Sequence, residues 1–157
     1  MISKFWKSFR IITIDVVIYQ MTNQDILPSP ESEFEIQTEL VSRRKKKYFI
    51  QDNDVLVHQS FLFNTVFLLR LIQKKGSVIG DCYTNPAYRG RSIYPFMIHT
   101  IAKEVLQNLK NAAVFMVVNQ DNLSSTKGIE KAGFKKCATI KAKRVLCFYF
   151  DKIIKHY

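Results

Sequence analysis

A short basic loop stands between a strand-like run and a helix-like run in the middle of the chain. Val78 to Thr84 is rich in strand formers, and from about Ser92 onward the apolar residues follow helical spacing. A loop that leads into a helix aims unpaired backbone N–H groups and the positive end of the helix dipole at one point. Arg89, Gly90 and Arg91 add two guanidinium groups and a backbone position without a Cβ. The pattern predicts an anion site, although a solvated basic turn would contain the same residues.

Two motifs in this region resemble the signature of the GNAT superfamily of acyl-CoA-dependent N-acyltransferases. The first is TNPAYRGRSIYPFMI, around the basic loop, and the second is VVNQDNLSSTKGIEKAGF; the resemblance covers Val78 to Phe134. It implies an α/β fold with a mixed, mostly antiparallel central sheet, a V-shaped splay between two parallel strands, and flanking helices. It also implies acetyl-CoA as the acyl donor, with no metal.

The same resemblance assigns the cofactor contacts. Arg89 stands at the first position of the family fingerprint R/Q-x-x-G-x-G/A, whereas Ser92 and Tyr94 replace its two small residues. The backbone of the preceding strand is expected to pair with the pantetheine arm, as a peptide adds to a sheet edge. Asn122 and Ser125 match the N-x-x-S/A positions, for which helix capping is the alternative role. The implied cofactor residues are Cys82, Thr84, Arg89, Gly90, Arg91, Ser92, Ile93, Tyr94, Asn122 and Ser125.

The transfer itself needs a neutral amine, a donor for the developing oxyanion and a proton for the leaving thiolate. His58 is the candidate base because imidazole titrates near neutrality, although a lone histidine is more often structural. Asp81 and Tyr83 share one face of the cofactor strand, and Asp81 could bind a cationic amine. Many family members carry a tyrosine acid where this chain has Ile129. The usual acid is absent, so another group or solvent protonates the thiolate, or catalysis has been lost.

Length and composition predict one globular domain over residues 1–157. The chain is 47% hydrophobic and long enough to bury a core. Its three cysteines, Cys82, Cys137 and Cys147, lie at wide spacings that indicate neither a disulfide framework nor a zinc site. A reducing cytosol is therefore the expected compartment. No apolar run reaches the roughly 18 residues needed to span a membrane, so no transmembrane segment is predicted.

The charge leaves two interpretations of function. Lys and Arg number 24 against 13 Asp and Glu, a net charge of +11, which favours anionic ligands or polyanions. The first interpretation is an N-acetyltransferase that moves an acetyl group to the primary amine of a small acceptor by direct attack in a ternary complex. Resemblance to relatives in surface-polysaccharide synthesis favours an amino sugar or a nucleotide-linked sugar.

The second interpretation is a degenerate scaffold that binds nucleic acid or another polyanion, or that senses acyl-CoA. The aromatic residues lie mainly in apolar runs, where core packing explains them better than base stacking, so nucleic acid is not the expected partner. A homodimer is compatible with either interpretation.

The segment from Glu31 to Lys47 fits two patterns. EFEIQTEL alternates like a strand, but acidic residues at the start and RRKKK at the end match a helix dipole, so a helix is favoured. Phe61 to Ile72 is predicted as a buried strand, or as a strand and a short helix. Other predictions are strands at Arg10 to Tyr19, Ala113 to Val118, Lys135 to Lys141 and Val145 to Phe150, a hairpin at Asp52 to Asp54, a helix from Ser92 to about Leu109, and a helix capped by Ser124 or Ser125 that ends at Gly133.

Overall fold

The computed structural model describes residues 10–28, 33–108 and 113–157. The described strands are β1 (Ile12–Met21), β2 (Gln37–Ser42), β3 (Lys45–Asp52), β4 (Val55–Phe63), β5 (Ser77–Thr84), β6 (Val114–Asn119), β7 (Lys135–Val145) and β8 (Phe148–His156). The described helices are α1 (Phe67–Leu71), α2 (Ile93–Asn108) and α3 (Leu123–Lys131). The strands form one sheet in the order β2-β3-β4-β5-β6-β1-β7-β8.

The sheet opens between β5 and β6. These two strands are parallel and pair only from Ser77 to Ile79 and from Val114 to Met116, whereas the other neighbouring strands pair antiparallel. Beyond Ile79 and Met116 the ladder ends, which leaves one edge of β5 without a strand partner among the described residues. The predicted mixed, mostly antiparallel sheet with a splay between two parallel strands is confirmed.

Two hydrophobic clusters pack on opposite faces of the sheet. On one face, α2 buries Met97, Ile101 and Val105, as its helical spacing predicts, together with Ile129 of α3. On the other face, Leu69 of α1 belongs to a cluster with residues of β1, β6 and β7. The helices α2 and α3 therefore fix the position of the basic loop against the sheet.

The helix predicted over Glu31 to Lys47 is wrong. Residues 31 and 32 lie outside the described residues, and the rest contains β2, a turn at Arg43 and Arg44, and the start of β3. Only the QTEL part of EFEIQTEL lies in β2, and all six residues of β2 are exposed, so the strand forms because β2 pairs with β3, which itself pairs with β4. The three lysines of the RRKKK run lie over aromatic rings within the sheet, so this run is not a helix end.

The remaining elements follow the sequence predictions with shifted ends. The segment Phe61 to Ile72 is a strand end followed by the short helix α1, which confirms the second of its two predicted alternatives. The strand β1 lies two residues later than predicted, β7 continues to Val145, and β8 begins at Phe148 and extends to His156. The cap of α3 is Asn122, not Ser124 or Ser125, because its side chain accepts a hydrogen bond from the backbone N–H of Ser125. The predicted end of α2 at Leu109 lies outside the described residues. None of the described helices is both long and apolar enough to cross a membrane.

Candidate functional site

A cavity of about 430 Å³ opens where β5 ends and where α2 and α3 begin. The basic loop, the end of β5 and the first turn of α3 line it together. Of the predicted cofactor residues, Arg91 and Asn122 are not among the lining residues. The predicted residues that line the cavity are Cys82, Thr84, Arg89, Gly90, Ser92, Ile93, Tyr94 and Ser125.

Two residues of the loop before α2 have positive φ angles. Gly90 has a φ of 81°, and a Cβ built at this position would meet nothing within 4 Å, so the loop is open here. Ser92 also lies in the left-handed region, with a φ of 59°, and its carbonyl accepts the first helical bond from the N–H of Phe96. The first N–H groups of α2 have no partner within the helix and lie at the wall of the cavity. They make it a suitable place for an anion.

Lys131 is a residue of this site that sequence reasoning missed. Its Nζ donates to the Ser92 Oγ at 2.7 Å and so holds the serine that replaces a small residue of the fingerprint. The only sequence signal was a basic residue in the last turn of α3, which is usually explained by the helix dipole. The contact joins the end of α3 to the start of α2 and brings another cation to the loop.

The two arginines of the loop have different partners. Arg89 Nε donates to the Thr84 carbonyl at 3.2 Å, which ties the loop to the end of β5. The Arg91 guanidinium carbon lies 5.3 Å from the centre of the Tyr88 ring. Because the Thr84 carbonyl is already engaged, Arg89 competes with any cofactor group that would pair with this oxygen.

Cys82 lies on the part of β5 that β6 leaves unpaired, with its side chain toward the cavity. Burial raises the pKa of its thiol to about 11, so the thiol is protonated at neutral pH. A protonated thiol is a weak nucleophile. We therefore expect Cys82 to offer its backbone for pairing and its side chain for packing in the site, and not to form an acyl-enzyme intermediate.

Tyr94 fits at a position where the fingerprint has a small residue because α3 has a glycine opposite it. A Cβ built on Gly128 would lie 2.5 Å from Tyr94 Cδ1 and 2.7 Å from Cε1. Burial, as the main cause, raises the pKa of the Tyr94 phenol, which stays protonated. Tyr94 and Gly128 thus form a complementary pair that keeps α2 and α3 at their observed separation.

We expect the Gly128→Ala substitution to lower the free energy of unfolding by about 1 to 2 kcal/mol, because the new methyl group overlaps the Tyr94 ring. In a Tyr94→Ala background the same substitution should raise it by about 0.5 to 1 kcal/mol, the usual gain of alanine over glycine in a helix. Urea denaturation of the two single variants and the double variant measures this change of sign. A stabilising effect in both backgrounds contradicts the proposed packing.

His58 lies behind the cavity wall and does not line the cavity. It is 0% exposed, with Nδ1 at 2.8 Å from the Thr84 Oγ1 and Nε2 at 2.8 Å from the Ser60 Oγ. Burial lowers the pKa of the imidazole to about 4, so His58 is neutral at pH 7. His58 contacts two residues that line the cavity, Thr84 by the hydrogen bond between Nδ1 and Oγ1 and Tyr94 with ring centres 6.1 Å apart.

Asp81 and Tyr83 lie on the face of β5 away from the cavity, and both are exposed. Asp81 has a φ of 49° and sits where the pairing of β4 with β5 changes register. Its carboxylate binds Lys45 at 3.2 Å. Ile129, at the position of the usual tyrosine acid, is only 1% exposed and packs in the core. The strand therefore separates Asp81 and Tyr83 from the residues predicted for the cofactor, whereas His58 lies on the cavity side next to Thr84.

The described residues contain no group of three or more His, Cys, Asp or Glu side chains that could hold a metal ion.

Comparison with known proteins gives relatives in structure but not in sequence. No protein-family model matches the chain, and no curated protein matches it. A GNAT-family acetyltransferase from Colwellia psychrerythraea matches 81% of this chain and 54% of its own with a TM-score of 0.58 and 13% identity. A protein from Novosphingobium aromaticivorans, described as a GNAT-family acetyltransferase, matches 81% of this chain and 62% of its own with a TM-score of 0.59 and 13% identity.

A Drosophila protein matches 94% of this chain with a TM-score of 0.60 and 14% identity, over 52% of its own length. This chain thus spans between 52% and 62% of the length of these three solved chains. At such low identity the likeness concerns the fold alone. Together with the splay between β5 and β6, it shows that the chain has the fold of the GNAT superfamily.

Proposed function

We propose that this protein is an N-acetyltransferase that moves an acetyl group from acetyl-CoA to a primary amine of a small acceptor. The observation that carries the proposal is the cavity itself, which unites the basic loop, the unpaired edge of β5 and the first turn of α3. The proteins from Colwellia psychrerythraea and Novosphingobium aromaticivorans, which share the fold, are named as acetyltransferases of the GNAT family.

The residues of the cavity fit the cofactor in two places. The first N–H groups of α2, the open backbone at Gly90 and the charge of Arg89 would hold the diphosphate. The edge of β5 from Gly80 to Thr84 would hold the pantetheine arm by backbone pairing, because β6 has diverged from it. When bound, acetyl-CoA supplies an activated thioester carbonyl.

The chain's own groups then orient the reactants. Direct attack requires the acceptor amine to reach the carbonyl in a neutral form, within a geometry that the cleft imposes. Ile129 has no proton to give, and the Tyr94 phenol is a protonated donor among the residues that line the cavity. Its raised pKa suits a hydrogen bond to a developing negative charge better than full proton transfer. Solvent at the open cavity then protonates the thiolate.

The acceptor proposed from the sequence resemblance is an amino sugar or a nucleotide-linked sugar. A cytosolic location and a homodimer stay predictions, and binding of acyl-CoA without transfer, or of a polyanion, is the alternative function.

Calorimetric titration with acetyl-CoA tests the proposal, followed by a thiol-release assay against amino sugars, polyamines and amino acids. We expect binding that desulfo-CoA shares, because the diphosphate contacts do not involve the sulfur, and thiol release that requires an amine. Acetyl-CoA binding without release for any amine would favour an acyl-CoA sensor. Absence of binding, combined with RNA binding that weakens steeply with salt, would favour the polyanion alternative.

A further inference from the structure

A cation is already held beside the splay, on the face of the sheet away from α2 and α3. The Lys45 ammonium lies 3.2 Å from the Asp81 Oδ2, 4.0 Å from the centre of the Phe61 ring and 4.8 Å from the centre of the Phe63 ring. A carboxylate with two aromatic rings is the combination that proteins use to recognise ammonium groups. The four residues come from three neighbouring strands, β3, β4 and β5.

The register of the sheet brings these side chains together. Lys45 pairs with Phe63 across β3 and β4, and Phe61 pairs with Gly80 across β4 and β5. Asp81 follows Gly80 in the left-handed conformation, at the place where β4 and β5 change register. Gly80 has no side chain, and the nearest atoms to a Cβ built there belong to the Phe63 ring, at 3.5 Å. The rings and the carboxylate therefore border one small area of the surface.

This area lies next to the proposed cofactor cleft. The pairing of β5 with β6 ends at Ile79, two residues before Asp81, and the next residue, Cys82, lines the large cavity. An amine bound at Asp81 would lie on one face of the sheet, and a cofactor bound along Cys82 would lie on the other. The two would contact consecutive residues of β5, beside the opening between β5 and β6.

We propose that Asp81, Phe61 and Phe63 form the subsite for the primary ammonium of the acceptor, and that Lys45 occupies it as an intramolecular competitor. The assignment to an acceptor rests on the proposed function, whereas the ammonium site itself does not. The Lys45 side chain is a primary amine on a methylene chain, so it has the same functional group as the proposed acceptor. An incoming ammonium must displace Lys45 and then give up a proton to solvent, so that the neutral amine can attack the thioester carbonyl.

Titration of the full chain with n-butylammonium chloride at constant ionic strength tests the site without any acyl donor. The Lys45→Met variant removes the competing ammonium and leaves an unbranched side chain one atom shorter, and we expect it to bind n-butylammonium at least about fivefold more tightly than the wild-type chain. Adding Asp81→Asn to that variant should abolish the gain, and neutral n-butanol should not bind in either case. Amide shifts of β4 and β5 in NMR spectra report both the binding and the integrity of the sheet.

Lys47 offers a matched control on the same strand and the same face. It lies 4.6 Å from the centre of the Phe49 ring and 4.0 Å from Glu39, two residues along the strand from Lys45. The Lys47→Met variant should bind n-butylammonium as the wild-type chain does. Equal affinities for the Lys45→Met, Lys47→Met and wild-type chains would overturn the proposal, as would a gain that survives Asp81→Asn.

The enzymatic readout separates the two proposals. If the chain turns over acetyl-CoA, Lys45→Met should lower the KM for the amine about fivefold, with the Kd for acetyl-CoA unchanged. Turnover with an unchanged amine KM would overturn the subsite and leave the transferase standing. Tighter n-butylammonium binding in a chain that does not bind acetyl-CoA would support the ammonium site and reject the transferase.

Discussion

The Arg89→Ala substitution is expected to weaken acetyl-CoA binding on the order of 30- to 100-fold, or about 2 to 3 kcal/mol. Arg89 is the charged side chain among the predicted residues that line the cavity, and its Nε also fixes the loop to the Thr84 carbonyl. The change removes a charge-assisted contact to the diphosphate and releases the loop that presents Gly90. Calorimetric titration at fixed salt measures the loss, because the contact is partly electrostatic.

Arg70→Ala is the matched control for this prediction. Arg70 is an exposed arginine on α1, outside the lining of the cavity, with its guanidinium carbon 5.8 Å from the centre of the Phe67 ring. Removing it lowers the net charge by the same amount and should leave acetyl-CoA affinity unchanged. Equal losses in both variants would mean that net charge, and not the loop, attracts the ligand.

The stability of the protein is expected to fall by about 2 to 3 kcal/mol between pH 7 and pH 4.5 because of His58 alone. Burial lowers the pKa of His58 to about 4 from the ordinary value of 6.5, so the unfolded chain takes up a proton in a range where the folded chain does not. The stabilisation is complete above pH 6.5 and is lost as the pH falls toward 4. Denaturant titrations at pH 7 and pH 4.5 measure the difference.

A His58→Gln variant isolates this effect. Between pH 7 and pH 4.5 its free energy of unfolding should fall by about 2 to 3 kcal/mol less than that of the wild-type chain. It will be less stable than the wild-type chain at pH 7, because the hydrogen bonds to Ser60 and Thr84 are altered. His156→Gln, at an exposed position of β8, should leave the pH dependence unchanged. A His58→Gln chain with the full pH dependence would show that His58 is not buried as a neutral imidazole.

Most elements of the fold could be predicted because their signals are local. The helical spacing of α2, the turn residues between β3 and β4, and the apolar run of β6 each need only neighbouring residues to be interpreted. The segment from Glu31 to Lys47 could not be predicted in this way. Its strands depend on pairing with β4, and its lysines depend on rings that other strands supply.

In the candidate site, too, some residues could be predicted from local motifs and others depend on contacts between distant parts of the chain. The resemblance of the two motifs predicted a cleft, and eight of the ten residues that it implied line one cavity, whereas Arg91 and Asn122 do not. The sequence did not indicate that Lys131 holds Ser92, that Gly128 makes room for Tyr94, or that Lys45 meets Asp81. Each of these contacts joins residues more than 30 positions apart.

The sequence by itself determined that a strand and a basic loop lead directly into a helix start, and it predicted an anion site there, because backbone groups at a helix terminus act without help from distant residues. Only the tertiary structure decided the environment of the titratable side chains. His58 is neutral because neighbouring strands bury it, and Asp81 faces a lysine because the register of β3 on β4 and of β4 on β5 lets Lys45 reach it across β4. Burial and register are properties of the assembled sheet, so the chemistry that depends on them became visible only there.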